Sequence, residues 1–100
     1  MQYEIHWKNG ARSKVAEVYA CKRANVTLDR VATRIRFVSV RFEDLNGPRG
    51  GIDKRCTVEA VGEFGSLVAS VKSRNYYAAA DRALGKLERG VVRALDRVMH

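Results

Sequence analysis

The sequence predicts one α+β domain with the order β-α-β-β-β-α, in which a four-stranded mixed sheet carries two helices on one face. Four segments alternate apolar and polar residues with the period of two that is typical of strands, and two longer segments repeat apolar residues every three or four positions. The chain has 100 residues, enough for one core, and it shows no internal repeat or linker. We therefore expect a single domain over residues 1–100.

The first strand and the first helix are predicted within residues 3–33. Tyr3, Ile5 and Trp7 alternate with polar residues and indicate a half-buried strand, which ends at a turn at residues 9–10. Ser13 is the expected N-cap of the following helix, which ends between residues 28 and 33. Its apolar side is predicted to consist of Val15, Val18, Tyr19 and Val26. The aliphatic stem of Lys22 lies among them.

Three further strands are predicted at residues 35–43, 53–61 and 66–71. The second strand has Val38, Val40 and Phe42 on its apolar face, and the third has Cys56, Val58 and Ala60. Residues 44–51 contain the only proline of the chain and three of its eight glycines, so they are predicted to form a loop. A short turn at residues 62–65 joins the last two strands as a hairpin.

The last helix is predicted over residues 74–98, with Ser73 or Asn75 as its cap. Its apolar stripe consists of Tyr76, Ala80, Ala83, Leu84, Leu87, Val91, Leu95 and Val98. Because strand-helix-strand crossovers are right-handed and join parallel strands, the first two strands should be parallel. The tight links that follow make the other pairs antiparallel, and both helices must cover the apolar face of the sheet.

The charge balance favours a polyanionic partner. The chain has 19 Lys and Arg against 11 Asp and Glu, a formal net charge of +8, and a domain this basic is usually attracted to nucleic acid. The start of the chain has neither a basic lead-in nor an apolar run, and no stretch reaches the roughly 20 apolar residues that span a bilayer. We expect a cytoplasmic protein without a membrane partner, with Cys21 and Cys56 as reduced thiols that serve packing.

Five cations of the last helix form a second stripe, at positions spaced four, three, four and four apart: Arg82, Lys86, Arg89, Arg93 and Arg97. At about 100° per residue they share one face opposite the apolar stripe. The acids Asp81, Glu88 and Asp96 fall to one side of them. Like charges at these spacings destabilise a helix, and a bound polyanion would relieve the repulsion. The alternative is a solvated basic face without a ligand.

Further cations lie on the first helix and around the glycine-rich loop. They are Arg12, Lys22, Arg23 and Arg30 on the helix, and Arg49, Lys54 and Arg55 at the loop. If the two helices lie side by side, their basic flanks can join into one surface that would recognise the shape of a phosphate backbone more than its sequence.

The sequence shows no catalytic or cofactor-binding constellation. The GPRGG segment lacks the GKS or GKT ending of a phosphate loop and joins two strands. His6 lies in the first strand, His100 is the last residue, and Asp53 begins a strand. The two cysteines lack the spacing of a zinc site. We therefore expect a binding protein and not an enzyme, with no metal, no cofactor and no small-molecule substrate.

Two segments resemble the hibernation promoting factor family of bacteria, also known as ribosome-associated inhibitors or "sigma-54 modulation" proteins. EDLNGPRGGIDKRCTVEA, residues 43–60, is similar to the family pattern ED-x-NGP-x-GG-x-DKRC-x-x-E, and YAAADRALGKLERGVVRAL, residues 77–95, is similar to its YAAID…DKL-x-RQL helix. The matching helix positions are Tyr77, Ala78, Ala79, Asp81, Lys86, Leu87, Arg89 and Arg93. The chain departs from the pattern at Ala80, where the family has a larger aliphatic residue, and at Gly85, where it has a helix former.

The resemblance implies a fold similar in layout to double-stranded-RNA-binding domains. It also implies binding to ribosomal RNA at the decoding region of the small ribosomal subunit, where mRNA and tRNA would otherwise sit, so that translation pauses under starvation stress. Carried over by position, the first candidates are Lys86, Arg89 and Arg93, followed by Arg82, Lys54 and Arg55. Because the chain ends after the helix, we expect no C-terminal extension of the kind that pairs two ribosomes.

Together, the basic stripe and the resemblance predict a set of RNA-binding residues: Arg82, Lys86, Arg89, Arg93, Arg97, Lys54, Arg55, Lys22 and Arg23. Two other functions remain open. The domain could be a protein-interaction module whose basic face docks an acidic partner, as the "sigma-54 modulation" name suggests, or a general binder of double-stranded RNA.

Overall fold

The computed structural model describes residues 1–10, 12–45 and 52–99 and confirms the predicted order of elements. In chain order, they are β1 (Gln2–Lys8), α1 (Lys14–Thr27), a 3₁₀ helix (Asp29–Arg34), β2 (Ile35–Asp44), β3 (Lys54–Gly62), β4 (Gly65–Ser73) and α2 (Tyr76–Met99). The 3₁₀ helix was not predicted, and it occupies the stretch in which the end of α1 was placed. The glycine-rich part of the predicted loop, residues 46–51, lies outside the described residues.

The four strands form one sheet in the order β1-β2-β3-β4. β1 and β2 are parallel, with Ile5 opposite Val40, as the right-handed crossover requires. The β2–β3 and β3–β4 pairs are antiparallel, so Val58 lies opposite both Val40 and Ala69. The alternating apolar residues of these strands point to the side covered by both helices, and β1 and β4 are left as the two edges of the sheet.

The buried side of α1 differs from the prediction. Ser13 does cap the helix, since its hydroxyl accepts a hydrogen bond from the Ala16 amide at 3.1 Å. The residues facing the core, however, are three alanines one turn apart: Ala16, Ala20 and Ala24. Val15 and Val26, assigned to the core from the sequence, are 67% and 66% exposed. The assignment was wrong because it followed the larger apolar residues, whereas close helix packing here requires small ones.

α2 follows its prediction more closely. The side chain of Asn75 accepts a hydrogen bond from the Ala78 amide at 2.8 Å and caps the helix, whereas Ser73 ends β4. The predicted apolar stripe is buried from Ala80 to Leu95, but Val98 is 62% exposed. A helix of 24 residues spans about 36 Å, and a strand of nine residues spans about 30 Å. The last turn of α2 therefore extends beyond the sheet.

Three aromatic rings fix the start of α2 on the sheet. Trp7 of β1 and Phe42 of β2 have ring centroids 4.6 Å apart, and Tyr76 of α2 meets both rings edge-on at 5.1 and 5.2 Å. Cys56 of β3 is fully buried, and burial raises the pKa of its thiol to about 12, in accord with a packing role. Within the described residues, neither helix is long and apolar enough to cross a membrane.

Candidate nucleic-acid interface

The five cations of the α2 stripe all project into solvent. Arg82, Lys86, Arg89, Arg93 and Arg97 are each exposed, and their positions fall within an arc of about 80° on the helix. No ion pair joins any of them to another residue in the described part of the chain. We call this side of α2, defined by these five residues, the open flank.

Two acids of α2, Asp81 and Glu88, bind side chains of α1 and of the 3₁₀ helix. Both oxygens of the Asp81 carboxylate accept a hydrogen bond from the Tyr19 hydroxyl at 2.9 Å, and one of them also accepts a hydrogen bond from Arg23 Nε at 3.1 Å. The Glu88 carboxylate accepts Arg30 Nε of the 3₁₀ helix at 2.6 Å. The bond to Asp81 raises the pKa of the Tyr19 hydroxyl, and burial adds to the shift. We call this side of α2, defined by Asp81 and Glu88, the paired flank.

Three of the cations predicted on the first helix are paired with acids and do not extend the open flank as free charges. Arg23 and Arg30 are bound to the two acids of the paired flank, and those acids lie between α1 and the open flank. Arg12 is bound through Nε and Nη2 to Glu17, at 3.1 and 3.0 Å. The sequence suggested that the basic flanks of the two helices could join, but it could not show that carboxylates of α2 pair with Arg23 of α1 and Arg30 of the 3₁₀ helix.

Glu17 is held by two partners. Its carboxylate accepts Trp7 Nε1 at 2.6 Å as well as the Arg12 guanidinium. The Trp7 bond is the largest cause of a lowered pKa for Glu17, with Arg12 and Lys14 acting in the same direction and burial opposing them. Lys22, by contrast, is exposed and forms no ion pair with another described residue, so it is the predicted α1 contact whose charge stays free.

The predicted contacts at the start of β3 are also engaged in ion pairs. Lys54 Nζ lies 3.2 Å from Asp44 and 3.3 Å from the buried Asp53. Burial lowers the pKa of Lys54, but the bonds to these two acids outweigh it and raise the pKa overall. Arg55 binds Glu43 at 2.6 and 3.0 Å, and this bond holds the pKa of Glu43 low. Arg49 lies outside the described residues.

A groove separates the open flank from β4. One cavity in this groove, of about 540 Å³, is lined by Leu67, Val68, Ala69, Ser70, Lys86, Leu87, Arg89, Gly90 and Arg93. A second cavity, of about 360 Å³, lies farther along the helix and is lined by Val71, Asp81, Arg82, Gly85, Lys86 and Arg89. The groove therefore has mainly cations on the helix side, with Asp81 among them in the second cavity, and the edge strand of the sheet on the other side.

The two glycines inside α2 line this groove, and each has room for a Cβ atom. A Cβ atom on Gly90 would lie 3.9 Å from the Leu67 side chain, and one on Gly85 would meet only the tip of Arg89 at 3.5 Å. Each glycine costs about 1 kcal/mol relative to alanine in a helix. The sequence did not predict the groove, because it forms only where α2 meets β4.

Side chains that could ligate a metal are dispersed over the described residues. No group of three or more His, Cys, Asp or Glu side chains among them is arranged to hold a metal ion. The imidazole of His6 is exposed and lies 2.9 Å from Glu4 on the open face of the sheet. The chemistry that the open flank provides is electrostatic attraction of a polyanion.

Two solved structures share the fold. A ribosomal subunit interface protein from Coxiella burnetii superposes with a TM-score of 0.79 at 14% sequence identity, over 93% of this chain and 96% of that one. The N-terminal domain of Protein Y from Thermus thermophilus superposes with a TM-score of 0.73 at 21% identity, over 93% of this chain and 98% of that one. No protein-family model and no curated protein matches the sequence.

Proposed function

We propose that this protein binds ribosomal RNA of the small ribosomal subunit through the open flank of α2 and pauses translation by occupying the decoding region. The observation that carries the proposal is the unequal pairing of the cations: five on the open flank are exposed without a carboxylate partner among the described residues, whereas those facing α2 from α1 and the 3₁₀ helix are bound to acids. The shared fold with a ribosomal subunit interface protein supports the ribosome as the partner.

The open flank suits a phosphate backbone for two physical reasons. Five like charges on one helix face repel each other, and phosphate groups that bind them remove that repulsion. Each contact also releases counterions from the nucleic acid, which contributes to affinity and makes binding fall steeply with salt. Arginine and lysine contacts of this kind position a protein on RNA by shape. Such a protein inhibits by occupying a site, as a cytoplasmic binding protein and not as an enzyme.

The predicted contacts differ in what they can contribute. The cations of the open flank and the exposed Lys22 can bind RNA phosphates without first losing a carboxylate partner among the described residues. Arg23, Lys54 and Arg55 must first exchange a carboxylate partner for a phosphate, so each adds less to affinity. We therefore place the main RNA contacts at Lys86, Arg89 and Arg93, with Arg82 and Arg97 extending the surface.

Cosedimentation with purified small ribosomal subunits tests the proposal. The triple variant Lys86→Glu, Arg89→Glu and Arg93→Glu should lose at least about a hundredfold in affinity, because three phosphate contacts become repulsive. Its circular dichroism and melting temperature should stay close to those of the wild type, since these side chains are exposed.

The matched control carries the same change in net charge at exposed positions away from the groove: Lys14→Glu, Arg36→Glu and Arg41→Glu. It should retain binding within about threefold, the effect of overall charge alone. If the control loses as much affinity as the open-flank variant, or if the open-flank variant still pelleted with subunits, the proposed surface is wrong.

Two competition measurements separate the ribosome from other partners. A short synthetic RNA duplex that displaces the protein as well as intact subunits do would make it a general double-stranded-RNA binder. Recovery of the protein's partners from lysate should depend on intact RNA, and recovery that ribonuclease leaves unchanged would contradict RNA binding.

A further inference from the structure

The outer edge of β4 is an unprotected strand edge. β4 pairs with β3 in continuous register from Lys54–Ser73 to Gly62–Gly65, and no described strand lies on its other side. Its nine residues, GSLVASVKS, include one charge and no proline. Sheet edges are normally protected by charges, prolines, bulges or covering elements, since free backbone groups attract other strands.

The other edge of the sheet is protected in these ways. β1 has seven residues and presents Glu4, His6 and Lys8 on the open face of the sheet. Two of its inner side chains are hydrogen-bonded to α1: Trp7 donates a hydrogen bond to Glu17, and Tyr3 donates one to Asn25. The two edges of the sheet therefore differ: the β1 edge is protected, and the β4 edge is not.

The groove gives an added strand a defined chemical environment. A fifth strand would lie about 4.8 Å beyond β4, with alternate side chains directed toward the helix side. There they would enter the cavity that Lys86, Arg89 and Arg93 line above Leu67 and Ala69. The intervening side chains would lie on the open face beside Val68, which is 61% exposed.

We propose that β4 accepts an extended acidic peptide segment as a fifth strand, with carboxylates at alternate positions under the open flank and β-branched residues between them. Backbone pairing provides the affinity, and the cations select for acidic side chains. A second copy of this chain is a poor occupant, because each copy carries a net charge of +8.

A peptide suits this edge better than an RNA strand does. The edge of a β-strand offers alternating N–H donors and C=O acceptors, whereas a phosphate backbone offers acceptors only. An added peptide strand satisfies both kinds of group. This inference does not depend on the proposed ribosomal function, but the peptide and the RNA would use the same cations and would exclude each other.

The probe is a fluorescent nine-residue peptide of alternating Glu and Val with blocked ends, bound to the full chain. A second probe has the same sequence with methyl groups on all internal amide nitrogens, which removes its donors and keeps its charge. We expect the first probe to bind saturably and to slow hydrogen exchange of β4 amides, and the methylated probe to bind at least about tenfold more weakly, since it cannot form the strand ladder.

Variants locate the site. Arg89→Glu with Arg93→Glu should weaken the unmethylated probe at least about tenfold, and Lys14→Glu with Arg36→Glu should leave it unchanged within about twofold. Equal binding of the two probes, absence of binding, or protection of β1 instead of β4 would overturn the proposal. So would slowed exchange at β4 caused by single-stranded RNA or by self-association of the chain, since either would assign the edge to another occupant.

Discussion

The charged side chains on the two flanks of α2 serve different purposes. On the paired flank, Asp81 and Glu88 bind arginines of α1 and the 3₁₀ helix, so charge there joins elements of the fold. On the open flank, five cations face solvent and a groove beside β4. The difference shows that the number of cations on an element says little about binding, because what decides is whether a carboxylate already lies opposite each one. Changes on the α1 side should therefore affect stability, and changes on the open flank should affect binding.

The largest effect on stability is expected where α1 packs on the core. Ala20→Leu adds three carbons to a fully buried site and should lower the free energy of unfolding by about 1–3 kcal/mol through overpacking. Val26→Ala, on the exposed side of the same helix, should change it by less than about 0.5 kcal/mol. Urea denaturation measures both. If Val26→Ala lowered the free energy of unfolding more than Ala20→Leu does, the apolar side of α1 predicted from the sequence would be the buried one.

Neighbouring residues of α2 provide the sharpest contrast between the flanks. Asp81→Ala removes the partner of Tyr19 and Arg23 and should cost about 1 kcal/mol of stability. Arg82→Ala should leave stability within about 0.5 kcal/mol but reduce the slope of log affinity against log salt by about one unit. Thermal melts and a salt titration of subunit binding check the pair, and the same pattern in both variants would contradict the division into flanks.

One substitution on the open flank should stabilise the protein while it weakens RNA binding. Lys86→Glu turns two repulsive interactions into attractive ones, because Arg82 and Arg89 lie four and three positions away on the same helix face. Each such pair contributes about 0.2–0.5 kcal/mol, so a gain of up to about 1 kcal/mol in unfolding free energy is expected. Thermal denaturation at low salt measures it. A loss of stability would mean that Lys86 serves the fold.

The smallest effect is a dependence on acid pH that comes from the α1 side. The pKa of Glu17 lies below its ordinary value of 4.5 in the folded protein, first because of the Trp7 bond. Its stabilisation is therefore complete at neutral pH and is lost as the pH falls below about 4.5 through the lowered pKa. The difference in melting temperature between wild type and Glu17→Gln should shrink in acid. A constant difference from pH 7 to pH 3 would contradict this role.

The order of elements and the position of the open flank could be predicted from the sequence, because both rest on periodicity within single segments. Strand pairing followed from connection length, and the five cations from spacing on one helix. What depends on contacts between segments could not be predicted. The alanine side of α1, the pairing of Arg23 and Arg30 with acids of α2, and the groove beside β4 arise only when distant residues meet.

The central claim is that the open flank meets ribosomal RNA, and site-directed photocrosslinking tests it most directly. Lys86→Cys and Lys14→Cys, each in a Cys21→Ser background, would carry a short photocrosslinker, since Cys56 is buried with a thiol pKa of about 12 and should remain unlabelled. The account predicts crosslinks from position 86 to small-subunit RNA and few from position 14. Equal crosslinking from both positions, or crosslinks from position 86 to protein alone, would contradict it.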